Sequence, residues 1–326
     1  PHSTLIPLFA KTLSLFSLTI SLHLFFVFMV VCYQLIKGYF QIEFSTYFFH
    51  FLYNSFPLYL VTSVTLVAVQ VIVNNKYLGY MVSVIIILGI DIILSIMDIQ
   101  SNMLSYLGSP YLIYSDMNGF GPSNVGVFWF NTYWIIGAFF LLIISGVFWA
   151  RGSVTSIKER MRFKQGKLNK RYLMLVSIVG VVWVVLAVFV YYNTQILNSY
   201  KSSDALEKLA VNYEETYKKY KDAPHPKVIE AKYDIAIFPY EKAANISSKL
   251  LMINPYDRAI DTLLLNVSRQ WEEEFNFPNA SLVKEDEKHN VHFYVFDPPF
   301  VAGDTLEVKI KTSYRTKGFA NGGAST

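Results

Sequence analysis

Residues 151–171 read RGSVTSIKERMRFKQGKLNKR, a strongly basic segment that separates two long apolar runs. Glu159 is its single acidic residue. The basic residues are Arg151, Lys158, Arg160, Arg162, Lys164, Lys167, Lys170 and Arg171. Basic residues beside a membrane span resist translocation, whereas apolar runs partition into lipid. We therefore expect a cytoplasmic loop between two transmembrane helices, and this loop fixes the orientation of the rest of the chain.

The composition also indicates a membrane protein. The chain is 53% hydrophobic and 16% charged, which is too apolar for an ordinary soluble domain. Residues 1–196 contain 11 Lys and Arg and 5 Asp and Glu, whereas residues 197–326 contain 17 and 19. A lipid-embedded half is therefore followed by a water-facing half. The net charge of +4 comes from basic residues near span ends, so we expect a lipid bilayer as partner and no nucleic acid.

Five apolar runs are long enough to cross about 30 Å of hydrocarbon at about 1.5 Å per residue. They cover residues 13–36, 56–73, 78–97, 128–150 and 172–197. With the basic loop inside, residues 98–127 are outside, and they contain no Lys or Arg. This outer segment is rich in turn-forming residues, which is typical of a short re-entrant or surface helix, or of an ordinary ordered loop. The fifth span then delivers the C-terminal half outside.

The water-facing half begins with a helical pattern. Leu206, Leu209, Tyr213, Tyr217 and Tyr220 recur at helical spacing, and Pro224 and Pro226 end the pattern. We expect residues 1–200 to form the transmembrane region, 201–227 a juxtamembrane stalk helix and linker, and 228–326 a β domain.

Alternating apolar and polar residues predict strands in the last region. The expected strands lie near residues 231–237, 244–253, 262–267, 291–295 and 306–310. The acidic patches at 272–274 and 285–287 are expected to be solvated turns. The predicted fold class is thus a membrane all-α bundle of about five helices followed by an extracytoplasmic all-β sandwich or saddle.

Two ionisable residues fall deep inside predicted spans, Asp91 in the third and His23 in the first. Such groups are costly in hydrocarbon, so their presence there points to a function. Near mid-depth they could face each other and bind a transported substrate or carry a proton. Alternatively, Asp91 only hydrogen-bonds a neighbouring helix or lies nearer the outer interface. Gln34, Gln70 and Asn131 are expected to form interhelical hydrogen bonds.

Sequence motifs for catalysis and metal binding are missing. No His is followed by Glu, as an H-E-x-x-H zinc site requires, and no G-x-x-x-x-G-K-[ST] phosphate loop occurs. The pair His289 and His292 has a spacing that directs two strand side chains to opposite faces, so we expect no metal site there. Cys32 is the single cysteine. Because the chain begins at Pro1 without Met, we expect a fragment of a longer protein.

Two sequence patterns resemble known families. YSDMNGFG at 114–121, followed by an apolar run ending in FWARG at 148–152, resembles the type-2 ABC permeases of Bacteroidetes-like bacteria that are fused to an aminopeptidase N-like domain. Residues 233–269, which include NPYDRAIDTL, and then FDPPFVAGDTLEVKIKTSY at 296–314, are similar to the N-terminal β-saddle of aminopeptidase N zinc peptidases. The resemblance covers nearly the whole chain.

The resemblance implies the permease part of an exporter in the bacterial cytoplasmic (inner) membrane, with its β domain on the periplasmic side. It further implies a separate ABC ATPase subunit that hydrolyses ATP, and a second permease half or a homodimer. The sequence holds no catalytic, cofactor or metal residues, and zinc would belong to the longer parent, which the resemblance makes a candidate peptidase. A different hypothesis is a membrane anchor that holds a metallopeptidase or binding module without transport activity. A third is a purely structural membrane protein whose sandwich binds a partner.

Overall fold

The computed structural model describes residues 5–121, 123–149, 170–198 and 200–322. Of the predicted cytoplasmic loop, only Lys170 and Arg171 fall within these ranges. The chain forms two compact units. One contains the residues up to Ser202 together with those from Gly318 onward, and the other is Ser203–Lys317.

The first unit is helical. Its helices are α1 (Leu5–Ile36), α2 (Phe44–His50), α3 (Phe56–Val73), α4 (Lys76–Val84), α5 (Ile90–Ile96), α6 (Ser123–Ser145) and α7 (Lys170–Tyr191). One π-helical turn joins α2 to α3, a second joins α4 to α5, and a third extends α7 to Leu197. Within the described ranges this gives five continuous helices that are long and apolar enough to cross a membrane, as predicted. The second begins at Phe44, earlier than expected, because the turn Phe51–Ser55 keeps the helix unbroken.

Helices α3 and α6 supply most of the buried core of this unit. Val61 and Val64 of α3 pack in one cluster with Leu8, Ala138 and Leu142. In contrast, the apolar windows of α1 and of the α7 span are 0% and 6% buried within the chain. Apolar surface of this extent needs lipid or further helices to cover it.

The segment between α5 and α6 is an ordered loop of turns rather than a helix. The backbone N–H of Asn102 donates to Oδ1 of Asn321 at 2.9 Å, and Trp134 Nε1 donates to the carbonyl of Gly108 at 3.1 Å. A Cβ at Gly108 would lie 2.5 Å from the carbonyl oxygen of Asn102, so this position requires glycine. Of the two alternatives, the structure thus shows the ordinary ordered loop.

The second unit is one helix and two antiparallel sheets. Helix α8 (Ser203–Tyr217) precedes a four-stranded sheet of order β1-β2-β7-β4 and a three-stranded sheet of order β3-β6-β5. The strands are β1 (Lys227–Phe238), β2 (Ala243–Ile253), β3 (Ile260–Asn266), β4 (Glu272–Asn276), β5 (Ala280–Asp286), β6 (Val291–Phe300) and β7 (Thr305–Arg315). Their core is a cluster of apolar residues from both sheets: Leu250, Ile260, Leu263, Phe277, Tyr294, Phe296, Phe300 and Val308.

Three expectations for this unit need correction or refinement. Residues 272–274 lie in strand β4 rather than in a turn, because Glu274 sits opposite Lys311 of β7 and the two side chains are 3.4 Å apart. Glu285 likewise lies in β5. Strand β1 alternates in sequence but is exposed along its whole length, at the edge of its sheet. Helix α8, expected to be a stalk, belongs to the same compact unit as the sheets.

Candidate functional site

A polar cavity of about 400 Å³ opens where α1 ends and α2 begins. We name it the Glu43 cavity. Its lining comes from the end of α1, the connection to α2, α2 itself and the loop before α6. The lining residues are Gln34, Tyr39, Gln41, Glu43, Thr46, Tyr47, His50, Tyr114, Asp116 and Phe120.

Hydrogen bonds hold the walls of the Glu43 cavity together. Oε2 of Glu43 accepts from the hydroxyls of Thr46 and Tyr114, at 3.0 and 3.1 Å. The first bond ties Glu43 to the opening turn of α2, and the second ties it to the distant loop. On the other wall, the hydroxyl of Tyr47 donates to Oε1 of Gln34 at 3.1 Å, which joins α2 to the end of α1. Three chain segments separated in sequence therefore meet around one carboxylate.

The chemistry of the cavity suits a cation. Among the described residues, it is lined by the carboxylates of Glu43 and Asp116 and by the imidazole of His50, with no Lys or Arg. Aromatic rings complete the walls, with the rings of Tyr114 and Phe120 packed edge to face at 5.3 Å between centroids. A cation is attracted both to carboxylates and to the faces of aromatic rings. A site of this size accommodates a small organic cation.

His23 lies in the middle part of α1, on the side of the helix that contacts α3. Its Nδ1 is 3.0 Å from the hydroxyl of Tyr59 in α3, and its ring centroid is 5.2 Å from that of Phe51. Phe51 opens the π-helical turn between α2 and α3. π-helical turns of this kind occur often at functional sites. The structure thus places a titratable group beside an irregular turn, on the helices that form the Glu43 cavity.

Asp91 has different partners. Its Oδ1 accepts from the hydroxyl of Ser105 at 2.8 Å and from the backbone N–H of Tyr106 at 3.1 Å. The carboxylate therefore fastens α5 to the ordered loop that follows it. His23 and Asp91, proposed from sequence to face each other, each have other partners, and neither is among the residues that line the Glu43 cavity.

Two of the three polar residues expected to link helices do so. Gln34 accepts from Tyr47, and Nδ2 of Asn131 in α6 donates to the carbonyl of Tyr53 at 2.6 Å. Gln70 differs, because its Nε2 is buried and has no hydrogen-bond partner in the described part of the chain. The sequence reading missed Glu43 and Asp116, although each stands as an acidic residue in a stretch beyond a span end.

The β unit contains a separate polar cluster. The side chain of His289 is 4% exposed, with Nδ1 2.9 Å from Oδ2 of Asp286 and Nε2 2.9 Å from Oδ1 of Asn212 in α8. Lys288 donates to the same Asn212 oxygen, and Tyr217 donates to Asp286 at 2.5 Å. Burial and then this bond raise the pKa of Tyr217 to about 12. The cluster attaches α8 to the β5–β6 turn, and we assign it a structural role.

Comparison of the sequence with models of known protein families and with curated proteins gives no match. The resemblance to permeases and to aminopeptidases therefore stays a prediction from sequence motifs. The Glu43 cavity and the His23–Tyr59 pair are the observations from which a function can be inferred.

Proposed function

We propose that the chain is the permease part of an ABC-type exporter that moves organic cations, with its β unit on the extracytoplasmic side. The Glu43 cavity is the observation that carries this proposal. It is large enough for a small organic molecule, negatively charged, and built by helices long enough to cross a bilayer. Its two carboxylates lie beyond the ends of the predicted spans, where a cation can reach them from water before or after it crosses the bilayer.

His23 extends the proposed pathway along α1. It lies about 11 residues before Gln34, or about 16 Å along the helix at about 1.5 Å per residue. Its bond to Tyr59 keeps a polar pair between α1 and α3 at that depth. With residues 98–127 outside, an exported cation would meet this pair before it reaches the Glu43 cavity, and the neighbouring π-helical turn offers a place where the helix can change its backbone hydrogen bonds.

The proposal includes partners for the exposed helices. The spans of α1 and α7 are almost unburied within the chain, so in a transporter they would contact lipid and a second permease half or a second copy. The sequence has no phosphate loop, so a separate ABC ATPase subunit would hydrolyse ATP. The proposed site of action is the bacterial inner membrane with the β unit in the periplasm, and any zinc would belong to the longer parent protein.

The test is ATP-dependent accumulation of fluorescent organic cations in inside-out vesicles that contain the full-length protein and its ATPase. We expect Glu43→Gln and His23→Phe each to lower the initial rate by about tenfold, the effect of losing one strong polar contact. Asp91→Asn is the matched control. Its amide oxygen can still accept from Ser105 and Tyr106, so accumulation should be unchanged.

The alternative is a membrane anchor for an extracytoplasmic metallopeptidase or binding module. Its supporting observation is that residues 203–317 form a compact unit with their own core. Vesicles without any ATP-dependent accumulation would favour the anchor over the exporter. Glu43→Gln and His23→Phe proteins that accumulate cations at the normal rate would instead show transport that does not depend on the Glu43 cavity or on His23.

A further inference from the structure

A second cavity, of about 470 Å³, lies at the opposite end of α1 and α3. We name it the Lys11 cavity. Lys11 of α1 and Gln70 of α3 line it, together with Asn74, which ends α3, and Trp149. It shares no lining residue with the Glu43 cavity.

The Lys11 cavity combines an exposed cation with a buried donor that, within the described residues, lacks an acceptor. The ammonium of Lys11 lies 4.8 Å from the centroid of the Trp149 ring, and in the described residues it forms no ion pair with a carboxylate. Nε2 of Gln70 is buried without a hydrogen-bond partner there. An unsatisfied buried donor costs about 1–3 kcal/mol, so such a group is expected to have a ligand. A cation and an amide donor together fit an anion with several oxygens.

Apart from Tyr80, the rest of the described lining is aliphatic. Leu66, Val67 and Val71 of α3 line it beside Leu15 of α1. Leu18 and Leu22 follow Leu15 on the same helical face and are 57% and 50% exposed. An apolar strip therefore leaves the cavity along α1 for about 10 Å at about 1.5 Å per residue. Trp149, which also lines the cavity, is the type of residue that sits at headgroup depth in a bilayer.

We propose that the Lys11 cavity binds an anionic phospholipid. The phosphate accepts from Lys11 and from Nε2 of Gln70, and one acyl chain lies along Leu15, Leu18 and Leu22. A soluble anion would use the two donors but would leave the apolar strip uncovered. A zwitterionic lipid carries its own ammonium group beside the phosphate, so it competes with Lys11 and binds less tightly.

The test is native mass spectrometry of the purified full chain in detergent, titrated with palmitoyl-oleoyl phosphatidylglycerol or with the phosphatidylcholine of identical chains. We expect phosphatidylglycerol to bind at least about tenfold more tightly, and Lys11→Met to remove most of that preference. Gln70→Leu, which fills the same space without a donor, should weaken binding about tenfold. Lys11→Arg should retain it.

Lys37→Met is the matched control. Lys37 follows the other end of α1 and also lies over an aromatic ring, that of Tyr33, at 5.7 Å. Binding by this variant should match the unaltered chain. Equal binding of the two lipids, equal loss in Lys11→Met and Lys37→Met, or displacement of phosphatidylglycerol by millimolar inorganic phosphate would each overturn the proposal. Lys11→Arg and Gln70→Leu test the proposed lipid contacts independently of Lys11→Met. The proposal can therefore still be refuted if the Lys11→Met protein misfolds.

Discussion

Replacing Tyr217 by Phe should loosen helix α8 from the β unit. The side chain of Tyr217 is buried, and its hydroxyl donates to Oδ2 of Asp286. Phenylalanine keeps the ring and its packing on Phe293, at 6.2 Å between centroids, and removes only the donor. The change therefore isolates one hydrogen bond in the polar cluster that attaches α8.

The size of the effect follows from the surroundings of the bond. A hydrogen bond to a charged group contributes about 1.5–3 kcal/mol when buried. The side chain of Asp286 is still 20% exposed and keeps His289 as a second partner, so water and His289 compensate in part. We expect the free energy of opening of α8 to fall by about 1–2 kcal/mol, which multiplies the open population by about 5–30.

Hydrogen exchange followed by mass spectrometry on the full chain measures the open population of α8. Amides of α8 and of the β5–β6 turn should exchange about 5–30 times faster in Tyr217→Phe, under conditions where exchange reports the open population. Tyr220→Phe is the control, because Tyr220 also packs on Phe293, at 5.8 Å, and removal of its hydroxyl deletes no hydrogen bond seen in the described structure.

Two results would refute this reasoning. If Tyr217→Phe left exchange within twofold of the original chain, the Tyr217–Asp286 bond would contribute nothing to holding α8. If Tyr220→Phe accelerated exchange equally, the effect would come from the aromatic surface rather than from the bond.

The pH dependence of the same exchange should show a plateau between about pH 5 and pH 9 once intrinsic rates are removed. The pKa of Tyr217 is raised to about 12, so its contribution is complete below its ordinary value of 10.0 and is lost as the pH rises through about 12. The hydrogen bond from Tyr217, and then that from His289, lowers the pKa of Asp286, so its contribution is complete above 3.8 and is lost as the pH falls below that value. A protection profile that stays flat from pH 2 to pH 12 would contradict both assignments. Ile260→Ala should cost about 2–5 kcal/mol in the β unit because Ile260 is fully buried, whereas Ile237→Ala on exposed β1 should stay within about 0.5 kcal/mol; urea unfolding followed by exchange of the strand amides compares them. Asp91→Ala should speed exchange of the Tyr106 amide, since that N–H loses its acceptor, without changing the strands.

Sequence patterns predicted helices and strands correctly where one property, either a long apolar run or a strict alternation, dominates the segment. Long apolar runs gave all five spans, and alternation gave β1, β2, β3, β6 and β7. Strand β4 was missed because its Glu-Glu-Glu sequence is typical of a solvated turn, and only the neighbouring Lys311 makes it acceptable in a strand. The start of the second span was misplaced because polar residues before Phe56 hide a helix that continues through a π-helical turn.

For the candidate site residues, the sequence predicted which side chains are unusual, and the structure showed what they contact. His23 and Asp91 were selected from the sequence because ionisable groups are costly in lipid. That criterion does not predict which residues they contact. The structure joins His23 to Tyr59 and Asp91 to the loop at Ser105. It also brings Glu43 and Tyr114 together across 71 residues, which no local pattern encodes.

The sequence by itself determined which segments are apolar enough to enter a membrane and which alternate as strands, because both properties depend on residues close together in the chain. Only the tertiary structure decided where polar groups meet, as in the Glu43 cavity and in the attachment of α8 to the sheets. Hydrogen bonds and cavities depend on distances of about 3 Å between residues far apart in sequence. Such distances are set by packing, and neither hydropathy nor periodicity contains information about them.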